Sequence, residues 1–371
     1  MNTGISLTAM ATELERRVQS RHDYIAPSPK ILATITLPPP TDPKRTITRP
    51  TPALDLGPSG VFGVQPHAHQ QLAQYAGIPK QYYDRMIVEE PQLWAQNVNA
   101  WLGRKPEEKR MVRTLDGGVR AILSDRYRPL DDFDLAHAVL PVLTKVGAEI
   151  RSTALTETKL YIKATLPGLR APITHSVRGA ILKQDDIIEG GVEISNSEVG
   201  SSRLSVAFWY FALICTNGMK GDRVIGRMHV GKRAELDIEE AAEYFTDTTR
   251  KADDKAFFMK VRDVVEAAFS RERFFAAVAR MDDAAQVTLK AKKVEEIVEV
   301  QLRRGNLFTE EMADRVRGNL IEGRDLTVWG LANAVTAAAN EEEDYETASA
   351  LEALGGDIIE LPQSEWKELA A

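Results

Sequence analysis

The chain has 371 residues, 43% of them hydrophobic and 27% charged, with a formal net charge of −7 and a single cysteine. That composition suits a globular chain with one large core or two ordinary ones, and it excludes a disulfide framework or a cysteine zinc site. No apolar run reaches the roughly 18–20 residues of a membrane helix. The opening MNTGISLTAMATELERR lacks a basic segment followed by an apolar one, so neither a signal peptide nor a membrane partner is expected, and the cytoplasm is the expected location.

The net charge conceals an asymmetry. Residues 1–100 hold 9 Lys/Arg against 8 Asp/Glu, residues 101–233 hold 21 against 15, and residues 234–371 hold 17 against 31. A basic middle followed by a strongly acidic C-terminal third suits a local phosphate-binding surface better than a wholly cationic nucleic-acid coat.

In chain order, Leu7, Met10, Leu14 and Val18 predict a first helix. Nine prolines between Ile25 and Gly60 predict an extended arm, so 1–60 reads as a helix and a Pro-rich arm. Residues 61–109 read as a small helical region stopped at Pro79 and Pro91. Its candidate core is Leu72, Tyr75, Ile78, Tyr82, Met86, Leu93, Val98 and Trp101. From 110 the apolar period becomes twofold. Asp116-Gly117-Gly118 predicts a hairpin turn, with Val119, Ala121 and Leu123 facing a core and Arg120, Ser124, Arg126 and Arg128 facing away. DDFDLAHAVLPVLTKVG predicts a helix that opens on acids and closes at Gly147. AEIRSTALTETKLYIKATLPG predicts strands with Lys159, Tyr161 and Lys163 on one face. Residues 110–233 are therefore expected to form a mixed or antiparallel sheet, and 234–371 an acidic helical region. The fold class is α+β.

Leu204–Thr216 is apolar on both faces, as a buried strand or a buried helix would be, and Asn217-Gly218 reads as the turn after it. Cys215 lies inside this run and reads as core rather than as a nucleophile. Beyond the turn, Arg223 and Arg227 alternate with apolar residues, and Lys232 and Arg233 follow.

RTLDGGVRAILSDRYRPLDD (113–132), ISNSEVGSSRLSV (194–206) and CTNGM (215–219) together resemble a phage- and plasmid-borne family catalogued as a domain of unknown function, over roughly residues 5–330. The resemblance implies a mobile-element context. The order of strands, helix and strands is also similar in architecture to single-strand annealing recombinases of the Rad/Redβ type.

Enzymatic chemistry finds little footing. No Gly-x4-Gly-Lys-Ser/Thr loop is present, and Gly117-Gly118 and Gly190-Gly191 suit turns. His67 and His69 lack a neighbouring carboxylate, and of the acidic cluster Asp125, Asp131, Asp132 and Asp134, the residues at 131–134 suit a helix N-terminus better than a Mg²⁺ site. Cations alternating with aromatics on strands have the form of a single-strand binding surface. The expected nucleic-acid contacts are Arg120, Arg126, Arg128, Lys159, Tyr161, Lys163, Arg223, Arg227, Lys232 and Arg233. The expectation is a protein that binds and anneals single-stranded DNA as a homo-oligomeric ring or filament, without cofactor or metal. Alternatives are a factor that binds a host protein through the acidic third and, more weakly, a metal-dependent nuclease using the aspartates.

Overall fold

The computed structural model describes residues 4–36, 51–127, 130–177, 180, 186–225 and 247–370. The chain folds α+β, but its strands divide between two sheets. The first is six-stranded: β1 (Arg21–Pro27), β2 (Leu32–Thr36), β3 (Thr51–Asp55), β4 (Val61–Val64), β5 (Lys109–Leu115) and β6 (Gly118–Ser124), in the order β1-β5-β6-β4-β3-β2. β2, β3 and β4 form an antiparallel meander, β4 runs parallel to β6, and β5 is antiparallel to both β6 and β1. The two outer strands, β1 and β2, are consecutive in the chain and joined through the single turn Ser28–Lys30. So short a link reaches at most ~18 Å, less than the roughly 24 Å that six flat strands would span, so the sheet must curl toward closure. It is a Greek-key barrel whose first strand is broken in two.

Three helices, α2 (Pro66–Ala76), α3 (Lys80–Glu89) and α4 (Pro91–Leu102), lie between β4 and β5 in the chain. They share with the barrel a core that includes Leu54, Leu72, Tyr83, Trp94, Val98, Val112, Val119 and Ile122. α4 covers the free edge of β2, where the Asn99 amide donates to the Ala33 carbonyl (2.9 Å) and accepts from the Ala33 N–H (2.7 Å). A side chain thus stands in for a missing strand at Ala33 on this edge.

The Pro-rich stretch is therefore no free arm in its described parts, 25–36 and 51–60. Pro27 ends an edge strand, and Pro52 lies beyond the last residue that β4 pairs, positions where a missing N–H costs no ladder bond. Of the expected helical core, Leu72, Ile78, Met86 and Val98 are buried, but Tyr82, Leu93 and Trp101 are exposed, and their neighbours Tyr83, Trp94 and Leu102 are buried in their place.

The second sheet is antiparallel: β7 (Glu149–Leu155), β8 (Leu160–Ile173), β9 (Asp186–Asn196), β10 (Ser205–Ala212) and β11 (Asn217–Ile225), in the order β11-β10-β9-β8-β7. Leu204–Thr216 thus supplies a strand, β10. Both faces of this sheet are covered. The even-numbered apolar residues of β8, β9 and β10 join a core with α1 (Leu7–Ser20), α5 (Asp132–Val146), α6 (Asp247–Ala267) and α7 (Arg271–Ala285). The opposite face lies under α11 (Tyr345–Glu360), backed by α10 (Val328–Ala338). α8 (Val294–Arg304), α9 (Glu310–Gly323) and α12 (Gln363–Ala370) complete the C-terminal helical layer.

Two turns repay comparison with the sequence. Asp116 and Gly117 both have positive φ, 53° and 75°, as the predicted hairpin requires. The turn before β11, by contrast, is Leu213–Thr216, with Thr216 at φ 50°, and Asn217-Gly218 already belongs to the strand. Gly218 answers to space rather than to a turn: a Cβ there would lie 2.2 Å from the buried Trp209 ring. Cys215 sits in the turn, half-buried against the main core.

Candidate functional site: buried ion networks and the exposed cations

Tyr161 and Lys163 of β8, and Lys159 just before it, do share a face, and that face is covered. Tyr161 is 3% exposed and packs on Tyr345 of α11 with ring centroids 5.0 Å apart. Lys163 is 1% exposed; its Nζ lies 2.6 Å from Glu352 Oε2 and 3.8 Å from Glu193 Oε2. Glu193 also binds Lys220 of β11, and Trp209 donates its indole N–H to Glu352 at 3.3 Å. Lys159 pairs with Glu346 of α11 at 3.2 Å. Two lysines and two glutamates are thus neutralised inside the protein. Burial pushes Glu193 up, but Lys220 and Lys163 outweigh it and hold it below the usual range, whereas burial and the Glu193 charge push Glu352 up.

This corrects the expected binding face. Alternation of Lys and Tyr places side chains on one side of a sheet but does not say what covers that side. Here the acidic third of the chain does. Its Glu346 and Glu352 pair with Lys159 and Lys163, so these two cations are satisfied within one molecule.

Arg120 is corrected likewise. It is 3% exposed, and its Nη1 lies 2.6 Å from Glu198 Oε2. Around it the two longest motifs of the sequence meet. Arg113 (1% exposed) donates to Asp23 of β1, to Asp131 and to the Glu198 carbonyl, at 2.7, 2.9 and 2.7 Å. The Asp132 N–H donates to Glu198 Oε1 (2.6 Å), and the Asn196 amide donates to the Asp132 carboxylate (2.8 Å). Burial and the neighbouring Glu198 charge raise Asp132 well above the usual carboxylate range. The network ties strands of the barrel to α5 and to the segment after β9. The third motif does similar work: buried Asn217 donates to the Asn333 carbonyl and to Thr336 Oγ1 of α10. The first two motifs join the barrel to the second sheet, and the third fastens β11 to α10.

Of the remaining expected contacts, Arg126 is exposed after β6 and Arg223 lies on β11. Arg128, Arg227, Lys232 and Arg233 fall outside the described residues. His67 and His69 turn to different partners, the Val199 carbonyl (3.3 Å) and the Tyr83 hydroxyl (2.8 Å). Among the described residues no three His, Cys, Asp or Glu gather as metal ligands would. Exposed aromatics that lie beside cations are found elsewhere: Phe275 of α7, beneath Arg271, and, beneath Arg104 at the end of α4, Trp101, a residue the periodicity assigns to the core.

A family model described as a domain of unknown function, DUF932, matches residues 120–352. The chain belongs to that family. No curated protein and no solved structure matches the chain. No helix among the described residues is long and apolar enough to cross a membrane.

Proposed function

We propose that the chain binds single-stranded DNA and promotes strand annealing for a phage or plasmid, in the cytoplasm, as an oligomer and without a cofactor, and that its N-terminal barrel makes the contact. The observation that carries this reading is the barrel's connectivity. A three-stranded meander, a helical connection and a returning hairpin whose second strand lies parallel to the third strand of the meander is the plan of an OB-fold barrel. Barrels of that plan track single strands along a charged groove with aromatic stacking platforms. Fold alone does not carry function, so the reading leans also on the exposed cations of the barrel, Lys30, Arg104 and Lys109.

The test is a shift assay on short poly-pyrimidine strands with and without Mg²⁺, coupled to annealing of complementary labelled strands. Salt-sensitive binding without cleavage, together with faster annealing, is expected. Mg²⁺-dependent cleavage would refute the reading in favour of a nuclease, and the absence of binding would refute it outright.

A further inference from the structure

Four of the five tryptophans, Trp94, Trp209, Trp329 and Trp366, are at most 1% exposed. Trp101 is 40% exposed. It occupies the last turn of α4, and the Arg104 guanidinium lies over its ring at 4.6 Å. The 103–108 segment that follows leads into β5, where Lys109 and Arg110 pair with Pro27 and Ala26 of β1. The Ser28–Lys30 turn is pinned to the same place. Buried Ser28 accepts no ambiguity of position: its N–H donates to the Glu108 carbonyl (2.8 Å) and its hydroxyl to the Leu102 carbonyl (3.1 Å). One rim of the barrel therefore carries Lys30, Arg104, Lys105, Lys109 and Arg110 against Glu107 and Glu108.

Two of these cations are already committed. Lys105 Nζ and Arg110 Cζ lie 4.1 and 3.7 Å from the centre of the Tyr75 ring, and Arg110 also pairs with Glu108 at 2.9 Å. Lys30, Arg104 and Lys109 are exposed, and none of the three makes an ion pair among the described residues. A positive rim on a chain of net charge −7 selects an anionic partner. An indole left in water beside it selects one with flat unpaired rings, which single strands present and duplexes hide in their stacks.

We infer that this rim is a single-strand binding site: Trp101, backed by Arg104, stacks on an unpaired base, while Lys30, Lys109 and Arg104 take the flanking phosphates. The inference rests on the proposed function and locates its contact on a surface that the β8 face cannot supply.

The experiment is a salt titration of oligothymidylate binding by the full chain, with intrinsic fluorescence followed in parallel. Because Trp101 is the one tryptophan open to solvent, stacking should quench the emission from that residue, and Trp101→Phe should remove the quench while keeping most of the affinity. Trp101→Ala should weaken binding about 5- to 150-fold with little change of salt slope. Lys30→Ala and Lys109→Ala should each flatten the slope of log K against log salt by about 0.7. Exposed Lys292 and Lys293, in the C-terminal half, provide alanine controls that should leave the slope unchanged. If the unmodified chain binds while the rim variants match the controls, the site is wrong and the binding reading survives. If the unmodified chain does not bind, both fall.

Discussion

Replacing Lys163 by Met offers a sharp test of the closed sheet face. Lys163, Glu193 and Glu352 are 1%, 1% and 3% exposed, so the substitution removes a buried partner rather than a surface charge. Lys220 remains beside Glu193, and the uncompensated carboxylate is therefore Glu352. Breaking a buried pair from one side costs about 3–5 kcal/mol, whereas replacing both members with apolar groups is often near neutral. Lys163→Met should lose that amount in urea unfolding followed by far-UV circular dichroism, and Lys163→Met with Glu352→Leu should recover most of it. The pH dependence has a definite sign. Burial and Glu193 already raise the Glu352 carboxyl. A carboxyl raised by folding contributes stability that is complete below its unfolded value, near 4.3, and is lost as the pH rises through its folded value. Without Lys163 the folded value rises further, so the deficit should be smaller at pH 5 than at pH 8. A loss under about 1 kcal/mol, accompanied by a flatter salt dependence of oligonucleotide binding, would refute the reasoning and return Lys163 to an open surface.

Further outcomes follow from single contacts. Gly218→Ala drives a methyl group to 2.2 Å from the buried Trp209 ring and should lower stability by about 1–3 kcal/mol in a urea melt. Asn99→Ala strips the Ala33 N–H and carbonyl of their partners and should cost about 1–3 kcal/mol by the same measure. Removing residues 335–371 takes away all of α11, including Tyr345, Glu346 and Glu352, and should abolish the thermal transition rather than strengthen nucleic-acid binding. Burial lowers His69 to about 4, and stability linked to it should be complete above the unfolded value near 6.5 and fall as the pH drops toward 4; His69→Phe should flatten that part of the curve of Tm against pH.

Much of the local structure was legible in residue order. The switch from helical to twofold period near 110, the Asp116-Gly117 turn, the acids opening α5 and the Gly147 that closes it all declare themselves through short-range chemistry. What escaped depends on distant segments. Nothing within KLYIK announces that Tyr345 and Glu352 will lie over it, nearly two hundred residues later. The partition into two sheets hinges on β5 and β6 pairing back to β1 and β4, which no local period encodes. Trp101 shows the converse error. A stripe carried three residues on from Val98 buries Trp101, whereas the structure carries it four residues on, to Leu102, and leaves Trp101 exposed.

The broken barrel and the α11 cover also bear on how the chain can be divided. The family match starts at Arg120, two residues into β6, and stops at Glu352, halfway along α11. A fragment cut at those limits would keep one strand of a six-stranded barrel and half of the helix that seals the second sheet. It would also end on two residues whose charges are neutralised deep inside, by Glu198 and by Lys163. The stretch that similarity delimits is therefore not a unit of cooperative folding. Soluble expression should require the segment that begins with α1 and the remainder of α11, however little either contributes to recognition of the family.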